Sequence, residues 1–330
     1  MLDLQSTSQG LAEAFLRQLG AVEEIFTRQL ESDLPAVSQL ATHVSRYRGK
    51  MLRPSLTILS GLTAVEGDLE QLESESLQRL AAVIEMIHMA TLVHDDVLDD
   101  ADERRGTQTV NNLRGNELAV MLGDYLISNA FHLCSTIGDP SLNEALGKTT
   151  NTLCEGELVQ LHHRDDLSLD LPTYMQIVRR KTAVLVGACG RLGAQVMGGS
   201  PELCTALELY GEHLGTAFQI RDDVLDLEGD VETVGKSVGR DLEKGKLTLP
   251  VILLLETIPE NEFHDVLEVI RCKDAQELKS RIHASGTIEG ALEIAQDEIS
   301  KGKDAVNGII SDSLHPIFEE LANSVLTRSR

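Results

Sequence analysis

The 330-residue chain contains no tryptophan and has only 4 tyrosines and 6 phenylalanines. It is rich in leucine, alanine and glutamate, a mixture that leans towards helix, because sheets draw on aromatic and β-branched side chains. Cysteine is also scarce. Cys134, Cys154, Cys189, Cys204 and Cys272 are odd in number, widely scattered and without a Cys-x-x-Cys pair. A disulfide framework and a structural zinc site are therefore not expected, and a reducing compartment is. Positive charge is in deficit: lysine plus arginine total 29 against 53 acidic residues, for a formal charge of −24. That balance argues against nucleic acid, which needs basic surface to displace counterions, and against an anionic membrane surface. No apolar run reaches the roughly 18 residues of a spanning helix. The stretch MLDLQSTSQG has no basic region ahead of an apolar one, so no signal peptide is apparent. A soluble, cytoplasmic protein without stable membrane insertion is the expectation.

What the chain does have is apolar spacing at three and four residues almost throughout. Residues 10–30 carry Leu11, Phe15, Leu19, Val22 and Phe26 on one face, and 34–47 repeat the pattern. Segment 75–102 continues it through Leu80, Val83, Ile84, Ile87 and Leu92. Further helices are expected at about 116–137, 142–164, 172–197, 201–228 and 248–257, separated by punctuation such as Gly138-Asp139-Pro140 and Gly198-Gly199-Ser200-Pro201. No alternating strand pattern persists, and no low-complexity linker divides the chain. The apolar content of 42% is enough for a sizeable core. One all-α domain over residues 1–330 is expected.

Two acidic clusters stand out. LVHDDVLDDADERRG places Asp95, Asp96, Asp99, Asp100 and Asp102 within eight positions. On a helix Asp95 and Asp99 are i,i+4 neighbours, where like charges repel. A hard divalent cation reverses the sign by accepting oxygen from two carboxylates at once. FQIRDDVLDLEGD repeats the same D-D-x-x-D grammar at Asp222, Asp223 and Asp226, again after an apolar helical stretch. One such run reads equally well as a solvated helix end; two are hard to obtain as independent surface accidents. If the two helices face each other, six carboxylates line one cavity. Magnesium is the expected ion, because it is held by a few carboxylates plus substrate phosphates. The EF-hand alternative lacks its Gly turn and loop spacing.

Cations gather near these clusters in an otherwise acidic chain. Arg104 and Arg105 follow the first, Lys181-Thr182 lies between the two, Lys236 and Lys246 bracket Asp241 in VGKSVGRDLEKGKLTLP, and RGKMLRP contributes Lys50 and Arg53. Each pair alone is an ordinary surface pair. Together with two metal motifs they call for anions, and suggest two diphosphate groups, one reached through metal and the other directly.

In this order the motifs resemble the trans-isoprenyl diphosphate synthase, or polyprenyl synthetase, family: GKMLRP, the IH–HDD stretch, DDxxD-x4-RRG, the KT pair, FQxxDDxxD and the glycine-lysine loop ending at Pro250. The resemblance spans nearly the whole chain and is closest to the long-chain, octaprenyl type. It implies a helical bundle around a deep central cavity and a homodimer. Position by position it implies that Asp95, Asp96, Asp99, Asp222, Asp223 and Asp226 bind magnesium, three ions with substrate present. Arg104, Lys181, Lys236 and Lys246 would contact the allylic diphosphate, with Thr182 and Gln219 lining its site. Lys50, Arg53, His88 and Arg105 would hold isopentenyl diphosphate. His94 has a structural reading, and the pair His162-His163 has no role in the family.

The resemblance also bears on product length. Two residues separate the Asp pair from the third Asp of the first motif, unlike the four of typical bacterial farnesyl synthases. The family's gate positions are Thr91 and Ala90, about one helical turn from the metals. Neither is a bulky ring, so a long-chain product made from farnesyl or geranylgeranyl diphosphate is expected, with Met121, Tyr125 or Phe131 as candidate floor of the tunnel. A geranylgeranyl diphosphate synthase is the alternative. A terpene cyclase would lack the isopentenyl site, and a non-catalytic subunit of a heteromeric synthase would commonly lack one Asp motif.

Overall fold

In a computed structural model the chain is described at residues 9–47, 49, 51–228 and 239–327. It packs as two compact units, each assembled from separate stretches: Met1–Thr150, Ala188–Glu208 and Gly308–Ile317 form the first, and Asn151–Gly187, Leu209–Asn307 and Phe318–Arg330 the second. The helical periodicity and the lack of a dividing linker predict one domain over residues 1–330.

The first unit contains α1 (Gln9–Gln29), α2 (Pro35–Val44), α3 (Leu52–Ala64), α4 (Glu75–Leu98), α5 (Val110–Arg114) and α6 (Asn116–Ser135). Its core is α4, which packs against α1, α3 and α6. Leu80, Ala81, Ala82, Val83, Ile84, Met86, Met89 and Ala90 on it have no accessible surface. A helix buried all round reads as nearly continuous hydrophobic sequence, and α4 is long and apolar enough to cross a bilayer by length and composition. Two thirds of its most apolar window is buried inside the protein, so packing accounts for that apolarity. Ser74 caps its N-terminus by accepting from the Leu77 amide.

α4 ends earlier than the expected residue 102, and the aspartates themselves make the stop. Asp100 adopts the left-handed conformation (φ 45°), which short polar side chains tolerate. The Ala101 amide then donates to Asp96 O at 2.9 Å and the Asp100 amide to Val97 O at 3.3 Å, a Schellman-type closure. The chain continues into a two-residue hairpin that the all-α reading did not anticipate, with Glu103 opposite Gln108 and Arg104 opposite Thr107. Its turn is Arg105-Gly106, both at positive φ (52° and 73°), the geometry that matches strand twist in tight hairpins. So short a ladder has no detectable alternation in sequence.

The chain then runs through α7 (Pro140–His162), α8 (Leu171–Val178), α9 (Val184–Val196), α10 (Pro201–Glu228), α11 (Arg240–Glu243), α12 (Leu249–Thr257), α13 (Glu260–Arg271), α14 (Ala275–Ser285), α15 (Thr287–Val306) and α16 (His315–Leu326). Helices α7, α9, α10 and α16 contribute residues to both units. In the second unit the Tyr210 hydroxyl donates to Phe318 O at 2.7 Å, and the two rings meet edge to face. His213 Nδ1 lies 2.7 Å from the buried Glu298, which Lys301 also contacts.

Glycine sets the closest approaches. In the first unit a Cβ on Gly193 of α9 would sit 2.3 Å from the Thr57 carbonyl oxygen of α3. Overpacking of this kind costs about 1–3 kcal/mol. Gly193→Ala is therefore expected to lower the unfolding free energy by that amount, seen in urea unfolding as a lower midpoint with an unchanged m-value.

Candidate active site

Both aspartate triads lie at the C-terminal ends of long helices, α4 in the first unit and α10 in the second. Carboxylates there face the negative end of the helix dipole, each at a cost of about 0.3–1 kcal/mol. In the first unit Asp96 is 2% exposed. Arg104, presented by the hairpin, directs both Nε and Nη2 onto Asp96 Oδ1 at 2.8 Å. Asp96 Oδ2 is buried and has no hydrogen-bond partner. Burial drives its pKa up to about 6, against the pull of Arg104 and with help from Asp95 and Asp99.

On the same helix His88 is enclosed by protein atoms, although a strip of its surface stays accessible. Burial lowers its pKa well below the usual value, and the charges of Arg53, Arg105 and Arg104 push it the same way. The structure thus brings three of the four residues expected at the isopentenyl diphosphate site to one place. Arg105 donates to Tyr47 O, and its guanidinium packs where a Cβ on Gly49 would be. Lys50 lies outside the described residues. The gate residue Ala90 is fully buried, and Thr91 donates its hydroxyl to His88 O at 2.8 Å. Met121 is 61% exposed, which corrects its reading as a tunnel floor within this unit: its place in the apolar repeat does not distinguish a core face from an outer one. His94 keeps its structural reading, fitting against Gly123 and contacting Val120 O at 3.2 Å.

In the second unit, the expected helix over 172–197 is interrupted by a π-helical segment, Arg179–Ala183, that carries Lys181 and Thr182. Such bulges recur at functional sites. This one is held between glycines: a Cβ on Gly156 of α7 would sit 2.6 Å from Lys181 N, and one on Gly215 of α10 would sit 2.7 Å from Ala183 Cα. From the bulge Thr182 Oγ1 donates to Gln219 Oε1 at 2.9 Å, and Gln219 Nε2 donates to Asp223 Oδ1 at 2.9 Å. The buried Tyr174 hydroxyl donates to the other oxygen of Asp223 at 2.6 Å. Lys181 donates to Gln160 at 2.7 Å and pairs with Glu157.

Asp226 accepts from the Arg240 and Asp241 amides and so fixes the start of α11 beside α10. A cleft of about 620 Å³, its open mouth included, is lined by Lys181, Thr182, Gln219, Asp223 and Lys246 together with Asp241. Four residues expected at the allylic site and one expected magnesium ligand, Asp223, therefore converge. Asp222 and Asp226 are not among its lining residues, and Lys236 lies outside the described residues. Tyr174 and Asp241 are residues that sequence reasoning did not assign. Asp241 was visible in GRDLEKGK, but its partners are far away in sequence. Burial, then Asp241, raises the Asp223 pKa well above the carboxylate range, against the bonds from Tyr174 and Gln219; burial and Asp241 do the same to Asp226.

Among the described residues no three His, Cys, Asp or Glu side chains already form a metal cage. The donors present nonetheless fit a hard divalent cation. They are carboxylate oxygens, one of them buried with no partner, and they are desolvated so that ionisation is unfavourable without a cation.

The polyprenyl synthetase family model matches residues 34–284. The chain belongs to the polyprenyl synthetase family. It is a trans-prenyltransferase. The octaprenyl diphosphate synthase of Escherichia coli strain K12 is 31% identical over 96% of this chain and 98% of its own length. Heptaprenyl diphosphate synthase component 2 of Geobacillus stearothermophilus is 32% identical over 92% and 93%. Among solved structures, a polyprenyl synthase from Caulobacter crescentus CB15, complexed with calcium and isoprenyl diphosphate, superposes with a TM-score of 0.89 at 32% identity, covering 97% of each chain. Solved geranylgeranyl synthases are also among the structures similar to this polyprenyl synthetase.

The raised carboxyls give a pH prediction. A group whose pKa rises on folding contributes stability that is full below its unfolded value, near 3.8, and is lost as pH climbs through its folded value, about 6 for Asp96 and higher for Asp223 and Asp226. Carboxylates ligate a divalent cation in their ionised form, so magnesium is expected to raise the melting temperature more at about pH 8 than at about pH 5, read by thermal scans with and without the ion. Equal increments would remove these carboxylates as its ligands.

Proposed function

We propose that this chain condenses isopentenyl diphosphate head-to-tail with an allylic diphosphate, farnesyl or geranylgeranyl, to give a long-chain all-trans polyprenyl diphosphate and free diphosphate. The observation that carries the reading is the second-unit cleft, where Lys181 and Lys246 stand with Asp223 and Asp241 around one space. A cation pair beside desolvated carboxylates suits a polyanion that brings divalent metal with it.

In this reading Lys181, Lys246, Lys236 and Arg104 bind the allylic diphosphate, and Thr182 and Gln219 line its site. Asp95, Asp96, Asp99, Asp222, Asp223 and Asp226 would supply ligands to magnesium, completed by phosphate oxygens. When bound, the metal neutralises charge on the departing diphosphate. The lysines and Arg104 stabilise that same charge as the allylic C–O bond breaks and its electron pair leaves with the diphosphate. Arg53, His88, Arg105 and Lys50 hold isopentenyl diphosphate so that its double bond attacks C1 of the allylic cation. One proton is then lost to the released diphosphate. No protein nucleophile is needed.

The convergence of Arg53, Arg105 and Arg104 on His88 favours two diphosphate sites and counts against a terpene cyclase. The small, buried Ala90 supports a long product. We read residues 1–330 as one catalytic domain, supported by a family match that draws residues from both units. A homodimer is supported by exposed Leu113, Leu118 and Met121 around α5 and α6. The relative named as a component makes a heteromeric assembly the second reading. The five cysteines form no disulfide, which suits the cytoplasm.

Purified chain incubated with magnesium, labelled isopentenyl diphosphate and farnesyl diphosphate is expected to yield linear polyprenyl diphosphates, sized by chromatography. A cyclic hydrocarbon would select the cyclase, and activity only on adding a second protein would select the heteromer. Ala90→Tyr is expected to shorten the product; unchanged length would remove the gate.

A further inference from the structure

Between α7 and α8 the chain makes a polar turn whose side chains are unusually well fixed. Asp166 Oδ1 accepts from the Ser168 amide at 2.9 Å and the Ser168 hydroxyl at 2.6 Å, and its Oδ2 lies 2.7 Å from His163 Nδ1. Bonds from Ser168, then His163, hold the Asp166 carboxyl down at about 2. It is an anion throughout the working range, so the ring nitrogen facing it carries a proton. The next residue along the turn is pinned as well: the Asp165 amide donates to Gly245 O at 2.8 Å, immediately before Lys246. A Cβ on Gly245 would collide with the Asp165 carboxylate, so these two loops can meet this closely only at a glycine.

His163 lines the same cleft as Lys181, Lys246 and Thr182. Asp166 does not; it borders a separate apolar cleft with Phe263 and Leu267. His163 thus lines the lysine-bearing cleft, while the carboxylate that holds it borders the other. Its Nδ1 edge is committed to Asp166, which leaves Nε2 as the nitrogen available to the lysine-lined side. His162 touches the ring only edge to face, with centroids 5.2 Å apart.

We propose that His163 is a further diphosphate-contacting residue, its Nε2–H donating to a phosphate oxygen of the allylic diphosphate while Asp166 holds the other nitrogen. This inference rests on the reading that the cleft takes that diphosphate. An imidazole flanked by carboxylate and phosphate is stabilised as imidazolium, and charge-assisted donors of this kind are the strong ones. Lys181 from the bulge, Tyr174 from α8, Asp223 from α10, and Asp241 and Lys246 from α11 and its following loop line the same cleft. Asp165, Asp166 and His162 belong to the histidine's own turn, and Asp170 ahead of α8 lies within electrostatic reach of the ring.

Calorimetric titration of the full chain with inorganic diphosphate and magnesium tests the proposal. His163→Asn is expected to bind about tenfold more weakly. Asp166→Asn, which leaves the ring in place, should lose less, and His162→Asn should match the wild type. In steady-state assays the KM for farnesyl diphosphate should rise in His163→Asn while that for isopentenyl diphosphate stays constant. Wild-type binding in His163→Asn would overturn the inference, as would an equal rise in both KM values. If the wild type itself fails to bind magnesium diphosphate, the functional reading falls first. Should His163→Asn melt too low to titrate, Asp166→Asn decides by its affinity: a wild-type value would overturn the inference.

Discussion

The constraint on which the rest depends is the placement of carboxylates at the wrong end of a helix dipole. α4 and α10 both finish in aspartates, where unsatisfied carbonyls already make the environment negative. Burial adds to the cost, because desolvation penalises the charged form, and so do the neighbouring like charges. Asp96 and Asp223 are the clearest cases, at 2% and 5% exposure. Evolution does not keep such an arrangement for stability. It is intelligible as a place where a polyanion and its metal arrive together and settle the charge.

Around each triad the protein spends its remaining interactions on orientation. The Schellman-type closure at Asp100 turns the chain into the hairpin that carries Arg104 onto Asp96. In the second unit, Thr182, Gln219 and Tyr174 form a relay that occupies both oxygens of Asp223. Asp226 instead spends its oxygens on backbone amides and locks α11 in place. Asp223 and Asp226 of one motif thus have different tasks, although their spacing alone treats them as equivalent.

Much of this was legible in the sequence. The three-and-four spacing located the long helices within a few residues, and the order of the motifs carried the family. What escaped was local or long-range in a specific way. The π segment keeps an apolar pattern close enough to α-helical periodicity that 172–197 reads as one uninterrupted helix. The Arg105-Gly106 hairpin is too short to alternate. Tyr174 and Asp241 matter through partners dozens of residues away, which no window of sequence reveals. Met121 was misread because an apolar residue on a helix looks the same whether it faces a core or the outside.

The bulge at Arg179–Ala183 carries an evolutionary consequence. A helix advances by about 100° per residue, so a π turn acts as one surplus residue tucked into an otherwise regular helix. Deleting a single residue there would regularise the backbone, yet it would swing Lys181 away from Gln160 or rotate all of α9 against the Gly211 and Gly215 notches of α10. Length change is barred here, and the spacing from Tyr174 to Gly187 should be the least elastic part of the chain.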